Sequence, residues 1–155
     1  MIVTGEEFQH IRAQAEAEYP AECCGVVLVR EGSPGERLLV PCRNVQDEYH
    51  AKDPEKYPRD SRTAYHMDPR DLLRIGRTEG DGYRVRTIYH SHIDSGAYFS
   101  ETDKRNALIQ GEPLYPEAAY VVLSVVEGKV AAAAAFAWRP EVRNFVPVEL
   151  TGLPI

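Results

Sequence analysis

The chain has 155 residues with 18 basic and 24 acidic side chains, a net charge of −6 at pH 7, and 43% hydrophobic residues. That balance belongs to one compact acidic globular domain, residues 1–155, able to bury roughly 70% of the surface its unfolded form would expose. A pI near 5.4 without a Lys/Arg cluster excludes nucleic-acid binding by phosphate neutralisation over a basic face and disfavours anionic membranes.

Cys23, Cys24 and Cys42 are odd in number, include an adjacent pair and form no C-x-x-C. Neither a disulfide framework nor a cysteine-rich zinc site is indicated, and a reducing, cytoplasmic setting fits. The N-terminal segment has no basic-then-apolar leader pattern, and the longest apolar run, residues 130–138, is far short of a membrane span. A soluble protein is expected.

In chain order, Thr4 with Glu7 offers a capping box for a helix bearing Phe8, Ile11 and Ala15, which Tyr19-Pro20 should end. Residues 25–30 and 37–42 read as a hairpin around the turn signal at 31–35. Residues 44–62 are polar and read as a long loop, and 63–67 read as a strand. Asp68-Pro69 then opens a second helix with Leu72, Leu73 and Ile75 as its buried stripe. A strand over 85–92 follows. Ser100 to Asp103 starts a third helix running on through Ala107, Leu108 and Ile109. Two apolar strands, 118–126 and 130–138, are joined by Glu127-Gly128-Lys129, and 145–150 is a last short strand; the five alanines at 131–135 are assigned to the hairpin arm rather than a helix.

The chemistry concentrates in Tyr89-His90-Ser91-His92, with Ser100 and Asp103 downstream. Residues two apart in a strand share a face, so His90 and His92 can present both imidazoles to one ion, and Asp103 can supply a third ligand with the fourth position open. The same residues admit a plainer reading. Ser100 caps the helix, Asp103 closes its capping box, and the histidines are polar side chains on a half-exposed strand. Glu22, just before the first strand, is either a solvated acid or a general base at the mouth of the sheet.

Taken together, Glu22 followed by H-S-H-x7-S-x2-D resembles the JAMM, or MPN-plus, zinc metallopeptidase family, and the resemblance runs over nearly the whole chain. It implies an α/β fold, a single MPN domain of cytidine-deaminase-like type, with a curved, mixed, mostly antiparallel sheet flanked by helices. It implies Zn2+ held by His90, His92 and Asp103, Glu22 as general acid/base toward zinc-activated water, and Ser100 as the donor stabilising the oxyanion. Ser91, pointing to the opposite face, is read as a structural hydrogen-bonding residue. The family reading further implies hydrolysis of an amide bond after the C-terminal Gly-Gly of a ubiquitin-like protein, with stand-alone prokaryotic members that process sulfur carriers the nearer parallel. A homodimer is compatible with it.

Ile93-Asp94 stands where many members have Pro after the second histidine, so the following loop is expected to differ; Asp94 is rated below Asp103 as a ligand. Tyr98 and Phe99 either line a peptide groove or pin the loop. His50 and His66 are assigned to the surface, and the cysteines to apolar packing. Rival metal patterns fail: H-x-H-x-D-H breaks at Ser95, and neither P-C-x-x-C nor H-E-x-x-H occurs. The alternatives that remain are a non-catalytic scaffold and a zinc hydrolase of another amide.

Overall fold

The computed structural model describes residues 1–151 and 153. The elements run α1 (Gly5–Glu18), β1 (Cys24–Arg30), β2 (Ser33–Cys42), α2 (Gln46–Lys52), α3 (Pro69–Gly80), β3 (Tyr83–Ile93), α4 (Glu101–Asn106), β4 (Leu108–Ile109), β5 (Glu112–Pro113), β6 (Ala119–Val126), β7 (Lys129–Arg139) and β8 (Asn144–Val148). Six strands form one sheet in the order β2-β1-β3-β6-β7-β8. Only the central pair β3 and β6 is parallel; the other neighbours are antiparallel. Among the described residues no helix is long and apolar enough to cross a membrane.

Strand alternation divides the core into two layers. On one face Phe8, Ile11 and Ala15 of α1 pack on Val27, Tyr89, Val121, Leu123 and Val125. On the other, Val26, Leu28, Ile88, Tyr120 and Val122 meet Ile75 of α3 and the rings of Phe99, Trp138 and Phe145. The central strands are buried on both faces, which is why residues 119–125 read as a continuous apolar run.

The Thr4 capping box forms as expected: Glu7 N donates to Thr4 Oγ1 at 3.1 Å, and Thr4 N to Glu7 Oε1 at 2.8 Å. The alanine run lies in β7, and Glu127-Gly128, both at positive φ, make the two-residue turn of the β6–β7 hairpin. Gly25 stands opposite Tyr89 in the β1–β3 ladder, and a Cβ there would lie 2.1 Å from the Tyr89 hydroxyl oxygen. Only glycine leaves room for that buried ring.

Four expectations need correction. The segment 44–62 contains α2 rather than being wholly loop. Residues 63–67 form no strand beyond one bridge between Asn44 and Met67; their backbone bonds are divided between the Asn44 side chain and Val45 N. The third helix stops at Asn106: Gln110-Gly111, both at positive φ, turn Leu108–Ile109 back as a small hairpin. In α3 only Ile75 is buried; Leu72 and Leu73 are 45% and 56% exposed, since this helix touches the sheet along a narrow line.

Candidate metal centre

β3 carries His90 and His92 on one face and Ser91 on the other. Ser91 accepts from Cys23 N at 2.8 Å through its hydroxyl, and Ser91 N donates to Cys23 O at 3.1 Å, clamping the start of β1 against the metal strand. This is the structural role read for it, and it brings Glu22, one residue earlier, to the mouth of the sheet.

Asp103 comes from the first turn of α4. It closes a capping box with Ser100: Asp103 N donates to Ser100 Oγ at 3.0 Å, and Asp103 Oδ2 accepts from Ser100 N at 3.0 Å. The same Oδ2 lies 3.1 Å from His90 Nε2 and 3.2 Å from His92 Nε2, and the two Nε2 atoms are 3.2 Å apart. Capping and convergence on the histidines are therefore one arrangement, not rival readings.

That triangle fits a metal ion. Tetrahedral bonds of 2.0–2.1 Å imply donor separations of about 3.3 Å. His92 Nδ1 lies 2.9 Å from Gly96 O, which can only accept, so Nδ1 carries the proton and Nε2 presents its lone pair. Ser124 Oγ donates to Ser95 O and pins that loop. His90 is fully buried, its Nδ1 has no hydrogen-bond partner among the described residues, and burial pulls its pKa down toward the neutral, ligating form. Burial alone would raise Asp103, but the close imidazoles of His90 and His92 outweigh it and hold the carboxyl well below the usual range. Two imidazole nitrogens and a carboxylate oxygen suit zinc.

Glu22 is 5% exposed. Burial, reinforced by the Asp103 charge and opposed by the Arg59 guanidinium, pushes its carboxyl up to about 9. It lines, with His92, Ser100 and Asp103, a cavity of about 160 Å³. A larger groove of about 700 Å³ adjoins it, sharing Arg59, Tyr65 and Asp103. Tyr65 stacks on His90 with centroids 4.6 Å apart, and Tyr98 meets His92 edge-on at 4.7 Å, so Tyr98 flanks the centre while Phe99 packs in the core.

What the sequence left unread is how Glu22 is held. Asn44 Nδ2 donates to Glu22 O at 2.9 Å and Ala64 O at 3.2 Å, while Asn44 Oδ1 accepts from Gln46 N and His66 N, each at 3.0 Å. Glu22 N donates to Ser61 O at 2.7 Å, and Ser61 is gripped by both carboxylate oxygens of Asp47. No local pattern marks these residues.

Asp94 is no ligand in this arrangement. At positive φ it accepts from Tyr19 Oη and from Glu127 N, both at 2.8 Å, away from the centre. His66 and His50 are half-buried rather than on the open surface, His66 beside Tyr49 and His50 against Tyr57 O. The three cysteines are buried thiols; burial pushes Cys23 and Cys42 up to about 12, which suits packing rather than nucleophilic chemistry.

Comparison with known proteins agrees with this geometry. The family model of prokaryotic homologues of the JAB domain matches residues 5–141. The chain is 30% identical over 125 residues to the CysO-cysteine peptidases of Mycobacterium bovis and Mycobacterium tuberculosis, covering 80% of this chain and 73% of theirs. It is also 38% identical over 94 residues to the tail tip assembly protein K of Escherichia phage N15, covering 61% of this chain and 31% of that protein. A solution structure from Desulfitobacterium hafniense has the same fold, with TM-score 0.64 at 22% identity, and one from Salinibacter ruber matches with 0.61 at 25%; each covers 97% of this chain and 90% of the other. The motif read around His90, the mixed sheet that carries it and the match over 5–141 converge: the chain belongs to the prokaryotic JAB (JAB/MPN) family.

Proposed function

We propose that this protein is a zinc-dependent peptidase that hydrolyses the amide bond after the C-terminal Gly-Gly of a ubiquitin-fold sulfur carrier. The observation that carries the reading is the triangle of donor atoms 3.1–3.2 Å apart opening on the same cavity as Glu22 and Ser100. The name of the mycobacterial relatives supports the substrate class.

A zinc ion held by His90, His92 and Asp103 supplies Lewis-acid polarisation of the carbonyl and lowers the pKa of water toward about 7. Glu22 takes the proton of the attacking water and returns it to the leaving amine, a role supported by its place in the same cavity as His92, Ser100 and Asp103. Ser100 has its hydroxyl oxygen engaged by Asp103 N, which leaves the O–H free to donate to the oxygen that gains charge. Gly96 O and Ser100 N hold His92 and Asp103 in orientation. Tyr65, stacked on His90, and Tyr98, edge-on to His92, line the cavity that the carrier's tail would enter.

The test is intact-mass spectrometry of a sulfur carrier extended beyond Gly-Gly, incubated with wild type and with Glu22→Gln, both zinc-loaded. Loss of the extension with wild type alone is expected. A carrier untouched by wild type, or trimmed equally by Glu22→Gln, contradicts the assignment.

A further inference from the structure

The two histidines of the candidate metal centre are held in unlike ways. Strand alternation puts both on one face of β3, but it leaves the rotation of each ring to whatever the side chain meets. His90 is fully buried and stacked on Tyr65 at 4.6 Å, so packing fixes its ring. His92 borders the small cavity, and the ring that meets it edge-on, Tyr98, is itself 51% exposed. Its orientation therefore depends on one polar contact, Nδ1 to Gly96 O at 2.9 Å, which turns Nε2 toward His90 and Asp103. That contact is as steady as the turn that offers the carbonyl.

Residues 94–96 lie outside every helix and strand, and a glycine at 96 does not set the direction of its own carbonyl. Their course is imposed by ties to elements distant in sequence. Asp94 stands at φ 51°, in the left-handed region that aspartate tolerates better than most side chains. Its Oδ2 accepts from Tyr19 Oη and its Oδ1 from Glu127 N, both at 2.8 Å, while its own N–H donates to Val125 O at 2.7 Å. One residue on, Ser124 of β6, 4% exposed, donates through Oγ to Ser95 O. Tyr19 follows α1 and Glu127 opens the β6–β7 turn, so a single carboxylate joins three separate parts of the chain at the exit of the metal strand.

We propose that Asp94 is a positioning residue for the metal centre: by bridging Tyr19 and Glu127 it fixes the turn over 94–96, so that Gly96 O holds the His92 ring with Nε2 directed at His90 and Asp103. This rests on the metal-centre part of the reading above and goes beyond it, because it assigns part of the zinc affinity to a side chain that does not reach the ion. A carbonyl bonded to the outer nitrogen of a histidine ligand fixes both its tautomer and its ring orientation, and losing such support weakens metal binding by roughly 10–100-fold. Asp94 takes no part in proton transfer.

The test compares wild type with Asp94→Gly and Asp94→Asn. Glycine adopts the positive φ without strain and deletes both side-chain bonds, whereas asparagine also tolerates that φ and keeps an oxygen for Glu127 N and an amide that can donate to Tyr19 Oη. Zinc affinity is measured by competition with a chromophoric chelator well below the Tm of each protein, so a loss of stability alone leaves it unmoved. Asp94→Gly should bind zinc about tenfold more weakly or worse, and Asp94→Asn should stay within about threefold of wild type. In the metal-free proteins, solvent exchange of the His92 Nδ1 proton, followed by NMR, should be about tenfold faster in Asp94→Gly while the backbone amides of β3 keep their protection. Wild-type zinc affinity in Asp94→Gly overturns the inference, as does equal weakening by glycine and asparagine, or unchanged Nδ1 exchange. If wild type takes up no zinc, the metal centre itself is refuted, and the exchange measurement still decides whether Asp94 holds His92.

Discussion

The two sides of the site are assembled in different ways. His90, His92, Ser100 and Asp103 lie within one strand, one loop and one helical turn, and strand alternation with a capping box sets their geometry. Glu22 faces them from a separate part of the chain, and its backbone is held by Asn44 and by Ser61, the latter gripped by Asp47. The candidate metal-binding side is thus built from local periodicity, while the proposed acid/base is placed by polar tethers between segments distant in sequence. The contrast predicts that the ligand side fails by losing zinc and the tether side by misplacing Glu22.

The sharpest break is at the ligands. Asp103→Asn removes a negative ligand, and activity and zinc should both be lost, as read by turnover and metal content. On the other side, Glu22→Gln should keep zinc but lower kcat by about 10²–10⁴, the usual contribution of a positioned general acid/base. Gly25→Val would drive a side chain into Tyr89 and cost roughly 3 kcal/mol, measured as a lower Tm. Asn44→Ala frees two part-buried carbonyls and two backbone N–H groups and should cost about 1–3 kcal/mol. Because a displacement of about 1 Å can cost 10²-fold, its kcat should also fall while zinc affinity stays unchanged. At the far end, Leu73→Ser should change stability by no more than about 0.5 kcal/mol, the side chain being 56% exposed.

The same contrast explains what could be read in advance. The Thr4 capping box, the turn at Glu127-Gly128 and the H-x-H strand are local patterns, and each appears where its residues indicated. The failures are of another kind. Leu72 and Leu73 follow helical periodicity, but how much of α3 the sheet covers depends on tertiary packing. Residues 63–67 have strand composition, yet the Asn44 side chain takes two of the hydrogen bonds a neighbouring strand would have supplied. Gln110-Gly111 was a legible two-residue hairpin signal, masked by the helical run of Ala107, Leu108 and Ile109 before it.

The most direct measurement is zinc content by mass spectrometry of wild type, Glu22→Gln and Asp103→Asn after loading and desalting at neutral pH. About one zinc per chain in the first two and almost none in the third is the predicted result, since affinity depends on the full ligand set. Stoichiometric zinc retained by Asp103→Asn, or none bound by wild type, would contradict the metal centre at His90, His92 and Asp103.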